Sequence, residues 1–475
     1  MNSEAVLDIF KKITAVPRGS GHEEKMTAWL LAWAKEHGYE SKADKVGNVL
    51  VTREADKGKE NVPTIVLQGH MDMVCDKLST SDHDFLKDPI RYEIRDGWMT
   101  AVETTLGADD GIGIAAALAL LEDKTPKGKI ECLFTISEET DMAGAESLEE
   151  GFFSGKTLIN LDSEDEGQLF IGCAGGMNTH IRFNFDTVPV REGYEYLRLE
   201  IGGGIGGHSG DDINKGRMNA LQQLSRFLYS EYAEGLQLCS MEAGRLPNAI
   251  ARSGVALAAV PDAAATIGRF EQFGKDLKSE FHVTDPDIVL TAVRDGGNAA
   301  PAIDDTTAGR LLPALFACPH GVEAMSQDIP GLVQTSSNLA SIKMTSSNSL
   351  LIVTSQRSSA RNELHAMAAK VAAIFKLAGA EVEHLLEYPG WNPDTNSRIL
   401  GICTEAYRRL FGQEAEVKAI HAGLECGMFL NKFGNLDMIS FGPTLRGVHA
   451  PGERLDLASM DRFVKLLSDV VVNFK

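Results

Sequence analysis

Four short, almost wholly apolar runs, NVLVT, PTIVLQG, KIECLFTIS and KTLINLD, fall within the first 180 residues and alternate with helically spaced segments such as LDIFKKI and EKMTAWLLAWAKEHG. Runs this apolar have no polar face to turn to water, so they predict strands in the middle of a sheet covered by helices on both sides. Reactive groups in such α/β sheets collect where the strands end. The ends of these runs carry His70, Glu138, Glu139 and Asp162.

From about Tyr194 the texture changes. YLRLEIGG, NAIARSGVALAAV and DIVLTAVRD read as strands, and NKGRMNALQQLSRFLYSEYA and TIGRFEQFGKDLKSEF as helices, which together make a small two-layer α+β unit. A second set follows, with helices TTAGRLLPALFA and ELHAMAAKVAAIFKLAG and strands SNLASIKMT, SLLIVTSQR and EVEHLLEY, suggesting an internal duplication. The turn-rich PGWNPDTNS marks a boundary, after which ILGICTEAYRRLF and LDMISFGP return to the α/β style. We therefore expect an α/β catalytic domain, a central mixed sheet flanked by helices, in two parts at residues 1–185 and 388–475. Between them, at residues 186–387, an inserted α+β lid domain is expected, ferredoxin-like and doubled.

Lys and Arg number 46 against 67 Asp and Glu, a net charge of −21. That charge repels nucleic acid backbones and anionic membrane surfaces, so neither is an expected partner. The seven cysteines are scattered singly with no CxxC pair, as in a reducing compartment. No leader-like segment or apolar run of about 20 residues is read. The expectation is a cytoplasmic, unanchored protein.

Five segments join acidic residues or histidines to apolar strands: GHMD (69–72), GADDG (107–111), SEET (137–140), NLDSED (160–165) and GVHAPGE (447–453). Zinc takes imidazole nitrogen and carboxylate oxygen, and a catalytic site keeps one position for water. Two such ions about 3.5–4 Å apart share a carboxylate, whose charge offsets their repulsion. Two histidines and three carboxylates meet that need. A single buried histidine, or one aspartate at a strand end, is ordinarily structural; the coincidence of five segments is what points to chemistry. His70 and Asp72 fall on the same side of an extended chain, so the carboxylate can orient the imidazole. Glu138 and Glu139 end the strand IECLFTIS, where adjacent carboxylates repel unless a cation or a proton divides their roles. One can bind metal while the other handles protons.

In their order along the chain these motifs resemble those of the di-zinc exopeptidases, a family of carboxypeptidases, deacylases and dipeptidases with a catalytic domain and an inserted lid. PRGSGHEEK, LQGHMDMVCDK, TTLGADDGIG, SEETDMAGA, NLDSED, GGHSGDDI and HAGLECG carry the resemblance over nearly the whole chain and point to the family's dipeptidases. The resemblance implies two zinc ions per subunit, with Asp109 bridging them, His70 and Asp162 completing one site, and Glu139 and His449 the other. It implies Glu138 as the proton shuttle and Asp72 as the residue that holds His70 in its tautomer. Between the neighbours Asp109 and Asp110, the residues alone do not choose; only alignment with the family motif favours Asp109. Manganese or cobalt would accept the same donors. The implied reaction is hydrolysis of small peptides, dipeptides with Xaa-His among them, by a metal-activated water whose proton Glu138 takes and passes to the leaving amine.

In the lid, the resemblance implies His208 of GGHSG to polarise the scissile carbonyl, Asn248 of LPNAIA to bind substrate backbone, and Arg357 of TSQRSS to pair with the terminal carboxylate. Asn338 in SSNLAS and Arg294 in TAVRD are the equivalent-looking residues of the other half, and relatives imply a homodimer. An N-acyl amino acid deacylase of the same fold is a second reading, separated from the first by substrate end-groups. A non-catalytic, metal-stabilised binding protein is a third, and it would have no use for Glu138 beside the metals. GGGIGG (202–207) satisfies the dinucleotide pattern GxGxxG, but its mid-chain setting reads as a hinge loop presenting His208. EGFFSGKT has Glu150 where a phosphate loop needs its first glycine, and HEEKM ends in Met26 where a helical zinc motif needs histidine. HAGLE (421–425) has a metal-like look, and the resemblance places it in the pocket wall.

Overall fold

The computed structural model describes residues 1–475 and resolves into two compact units. One comprises Met1–Gly172, Trp391–Ala419 and Leu424–Lys475; the other comprises Cys173–Gly390 and Ile420–Gly423.

The first unit is built on an eight-stranded sheet in the order Glu40–Ala43, Val49–Arg53, Ile130–Thr135, Ile65–His70, Thr157–Asn160, Asp437–Ser440, Gln168–Cys173, Glu416–Ile420. Four neighbours at its centre, from Ile130–Thr135 to Asp437–Ser440, run parallel. Every residue of Ile130–Thr135, Ile65–His70 and Thr157–Asn160 is buried, in keeping with their predominantly apolar composition. Helix Ala108–Glu122, rich in alanine, glycine and leucine, is apolar on all sides and buried from Ala108 to Leu121. Because the central strands are parallel, the chain leaves them at one common edge. A separate four-stranded sheet, Leu445–Arg446, Arg454–Asp456, Trp98–Ala101 and Tyr92–Arg95, carries His449 between its first two strands.

The second unit holds a mostly antiparallel sheet of nine strands. Along its main path the order is Val289–Arg294, Glu195–Gly202, Gly254–Val260, Gln237–Ala243, Val333–Ser346, Ser349–Ser358, Gly175–Asn184, Glu381–Tyr388, with Gly321–Met325 paired to Val333–Ser346. Its two halves join at the Ala243–Ile342 pair. Leu197, Leu199 and Ile201 pack into one cluster with Leu221, Leu224 and Phe270 from helices Ala220–Ala233 and Ala263–Glu280, while Arg198 between them stays exposed. This is the alternation of a sheet with one covered face.

Two elements differ from the expected ranges for local reasons. The helix expected from Asn214 begins at Ala220, because the Asn219 side chain accepts the Gln222 N–H and caps it, an arrangement worth about 1 kcal/mol. The expected strand NAIARSGVALAAV is regular only over Gly254–Val260; Ile250 N–H instead donates to Gly207 O at 2.9 Å. No helix is long and apolar enough to cross a membrane.

Candidate metal centre

His70 closes the strand Ile65–His70; Glu138 and Glu139 lie just past Ile130–Thr135, and Asp162 just past Thr157–Asn160. Asp109 occupies the first turn of helix Ala108–Glu122. His70 Nε2 stands 2.9 Å from Asp109 Oδ1 and 3.4 Å from Asp162 Oδ1. On the other side, His449 Nε2 stands 3.3 Å from Asp109 Oδ2 and 2.9 Å from Glu139 Oε2. Asp109 thus presents one oxygen to each imidazole. Asp110 turns away: its Oδ1 accepts the Gly113 N–H at 3.2 Å, and its Oδ2 is buried with no hydrogen-bond partner.

The donors fall into three groups whose atoms lie within 4.8 Å of one another: His70, Asp109 and Asp162; Asp109, Glu139 and His449; His70, Glu138 and Glu139. Asp109, Glu139 and Asp162 form ion pairs with histidine alone, with no lysine or arginine among their partners. Imidazole nitrogens and carboxylate oxygens gathered in this way suit divalent cations of the zinc class, so the residues present fit a metal pair.

Asp72, fully buried, organises the surroundings. Its carboxylate accepts Ser20 Oγ–H at 2.8 Å and the backbone N–H groups of Glu138 at 3.0 Å and Glu139 at 3.2 Å. Its Oδ1 also stands 3.3 Å from His70 Nδ1. Burial works against the Asp72 charge, but His70 and these donors hold the carboxyl below its ordinary range. Burial pushes Glu138 up to about 8; His70 opposes this, while the carboxylates of Glu425, Glu139 and Asp109 add to it. The Asp109 and Glu139 carboxylates raise His449 to about 10.

Within the second unit, His208 follows the strand Glu195–Gly202 on a loop paired to Ala249, and Ser209 N–H donates to Asn248 O at 2.8 Å. Arg357, buried, donates from Nη1 to Tyr388 Oη at 2.8 Å and from Nε to Ser209 Oγ at 3.4 Å. The fold therefore gathers His208, Asn248 and Arg357 around Ser209. Asn338 is a buttress of the same loop, its Nδ2 donating to Pro247 O and Ala249 O at 3.0 and 2.9 Å. Arg294 pairs with Glu195, 3.3 Å away, on the neighbouring strand.

Glu425, which the resemblance places in the pocket wall, is fully buried in the first unit. Its Oε2 accepts from Gln68 Nε2 at 2.6 Å and Thr135 Oγ1 at 2.8 Å, and burial pushes the carboxyl up to about 7. The available signal was an acidic residue inside the otherwise apolar GLECGMFL. Arg18 and Glu453 lie inside two of the quoted motifs, PRGSGHEEK and GVHAPGE, and nothing local in the sequence gives them a role.

Residues 66–473 match the family model described as peptidase family M20/M25/M40. The chain belongs to this family. It is a hydrolase of this peptidase family. Over 477 aligned residues, 99% of this chain and 98% of the relative, it is 37% identical to the cytosol non-specific dipeptidase of Escherichia coli strain K12. The crystal structure of aminoacylhistidine dipeptidase from Vibrio alginolyticus matches with a TM-score of 0.91 and 36% identity, covering 99% of this chain and 96% of that one. A tripeptidase from Staphylococcus aureus matches with a TM-score of 0.62 and 16% identity over 99% and 98% of the two chains, a likeness of fold. The sequence expectation of an α/β exopeptidase-like fold agrees with these M20 matches.

Proposed function

We propose that this M20 peptidase is a dipeptidase of broad specificity, Xaa-His peptides included, that works with a pair of zinc ions. His70 and Asp162 would hold one ion, Glu139 and His449 the other, and Asp109 would face both; manganese or cobalt would suit the same donors. The observation that carries the reading is the Asp109 carboxylate, one oxygen turned to each imidazole. When bound, the ions supply Lewis-acid polarisation and a more acidic water.

Glu138, a buried carboxyl raised towards neutrality, is suited to accept the proton of the attacking water and return it to the departing amine. Asp72 holds His70 by its Nδ1 side and, through the backbone N–H groups of Glu138 and Glu139, keeps base and ligand in register. We assign His208 to the scissile carbonyl, Asn248 to substrate backbone and Arg357 to the terminal carboxylate, for which a planar guanidinium is the matching fork. The second unit is read as the lid and dimerisation domain of a homodimer. A cytoplasmic place is supported by the likeness to the cytosol dipeptidase of Escherichia coli.

The test is hydrolysis of Ala-His, Gly-Gly, Ala-Ala-Ala and N-acetyl-methionine by chelator-stripped protein with and without zinc. Zinc-dependent cleavage confined to the dipeptides is expected. Cleavage of N-acetyl-methionine alone would move the chain to the deacylases, and no cleavage of any compound would leave a metal-stabilised binding protein.

A further inference from the structure

Beneath the donor cluster, two buried charges hold the backbone of the Asp109 segment from opposite sides. The Glu453 carboxylate accepts four consecutive N–H groups: Leu106 at 2.7 Å and Gly107 at 2.9 Å on Oε2, Ala108 at 2.8 Å and Asp109 at 3.4 Å on Oε1. Such a nest of amides is a strong anion cradle, and here the anion belongs to the protein itself. Arg18 donates from Nη1 to Met71 O at 2.9 Å and Asp72 O at 2.8 Å, and from Nη2 to Gly107 O. Both side chains are 2% exposed.

Gly107 is the node, giving its N–H to Glu453 and its carbonyl to Arg18. Its φ of 67° and the position of a hypothetical Cβ, 2.6 Å from Arg18 Nη2, mean that any side chain there is strained and displaces the Arg18 guanidinium. Arg18 makes no direct ion pair; its charge is balanced through peptide groups and the nearby carboxylates of Glu453 and Asp72. Glu453 lies four residues beyond His449, and Arg18 grips the two residues that follow His70. The frame therefore ties the segment bearing Asp109 to the segments bearing both imidazoles.

We propose that Glu453 and Arg18 are positioning residues that set the Asp109 carboxylate between His70 and His449 by acting jointly on Gly107. The inference rests on the reading of Asp109 as a shared metal ligand. A carboxylate facing two imidazoles at 2.9 and 3.3 Å leaves little room for displacement, and supports of this kind ordinarily govern metal affinity 10- to 100-fold, by the ~10–100-fold scale of such contacts.

The test uses the full chain and the conservative variants Glu453→Asp and Arg18→Lys, which keep each charge and alter its reach. Zinc affinity is measured by chelator competition, ligand geometry by the visible absorption of the cobalt-loaded protein, and folding by the thermal midpoint after chelation. Each variant should lose about tenfold or more in zinc affinity and shift the cobalt bands, with a chelated midpoint close to the parent's. The double variant should lose no more than the worse single one, because both residues act through one node. Unchanged affinity, additive losses, or a loss matched by a collapse of the chelated midpoint would overturn the proposal. Failure of the parent chain itself to bind zinc would instead overturn the metal reading on which it rests.

Discussion

Asp72 Oδ1 stands 3.3 Å from His70 Nδ1. The same carboxylate receives the backbone N–H groups of Glu138 and Glu139, so one side chain contacts an imidazole and both glutamates together. Replacing Asp72 with Asn should lower zinc affinity or kcat/KM about 10- to 100-fold, since the amide cannot accept from all these donors at once. Chelator competition and steady-state kinetics read the two effects; parent-like values in both would leave Asp72 without the assigned role.

Glu138→Gln removes a proton acceptor while keeping the shape of the side chain. Turnover of Ala-His should fall by at least about 10²-fold, the scale of a lost general base, while zinc stoichiometry holds at the parental value. Metal analysis of the purified variant beside its kcat decides this, and a variant that keeps most of its turnover would remove Glu138 as the base.

The adjacent aspartates should respond asymmetrically. Asp109→Asn deprives both imidazoles of a carboxylate neighbour and should abolish tight uptake of the metal pair. Asp110→Asn can keep its contact to Gly113 N–H and should hold zinc within a few-fold of the parent. Zinc titration of both proteins tests the assignment, which fails if the two lose metal equally.

Acid stability carries a signature in the second unit. Desolvation lowers the His320 imidazole from its ordinary 6.5 to about 4, and its Nδ1 accepts the Leu339 N–H at 3.4 Å. The unfolded chain then takes up a proton below about 6.5 that the folded chain refuses until about 4, so this residue's share of stability is present above pH 6.5 and is lost as pH falls towards 4. Thermal midpoints of the parent and His320→Gln at matched metal concentration should converge on acidification, with the variant showing the flatter profile between pH 6.5 and 4. Parallel profiles would exclude the contribution.

Much of the first unit was legible because its signals are local. An apolar run such as PTIVLQG must be buried wherever it lies, and its end then falls at the sheet edge with His70. The strand Gly175–Asn184 was not legible: it opens on two glycines, and it owes its extended form to pairing with Ser349–Ser358 on one side and Glu381–Tyr388 on the other. Those partners lie far along the chain, and no window around Gly175 contains them. Arg18 and Glu453 stayed silent for the same reason, since a charged residue in a motif reads as solvated until the backbone it grips is folded around it.

The sequence by itself determined that an α/β unit would form, that histidines and carboxylates would gather at its strand ends, and that the adjacent charges of Glu138 and Glu139 would repel unless a cation or a proton divides them. Those conclusions follow from hydrophobic period and from the repulsion of neighbouring charges, which act over a few residues. Only the tertiary structure separated Asp109 from Asp110. The two share a helix turn whose backbone is non-helical at both positions, and the partner that distinguishes them, His449, lies 340 residues away. Which carboxylate faces two imidazoles is decided by where the fold brings those imidazoles, a relation between distant segments that local spacing does not encode.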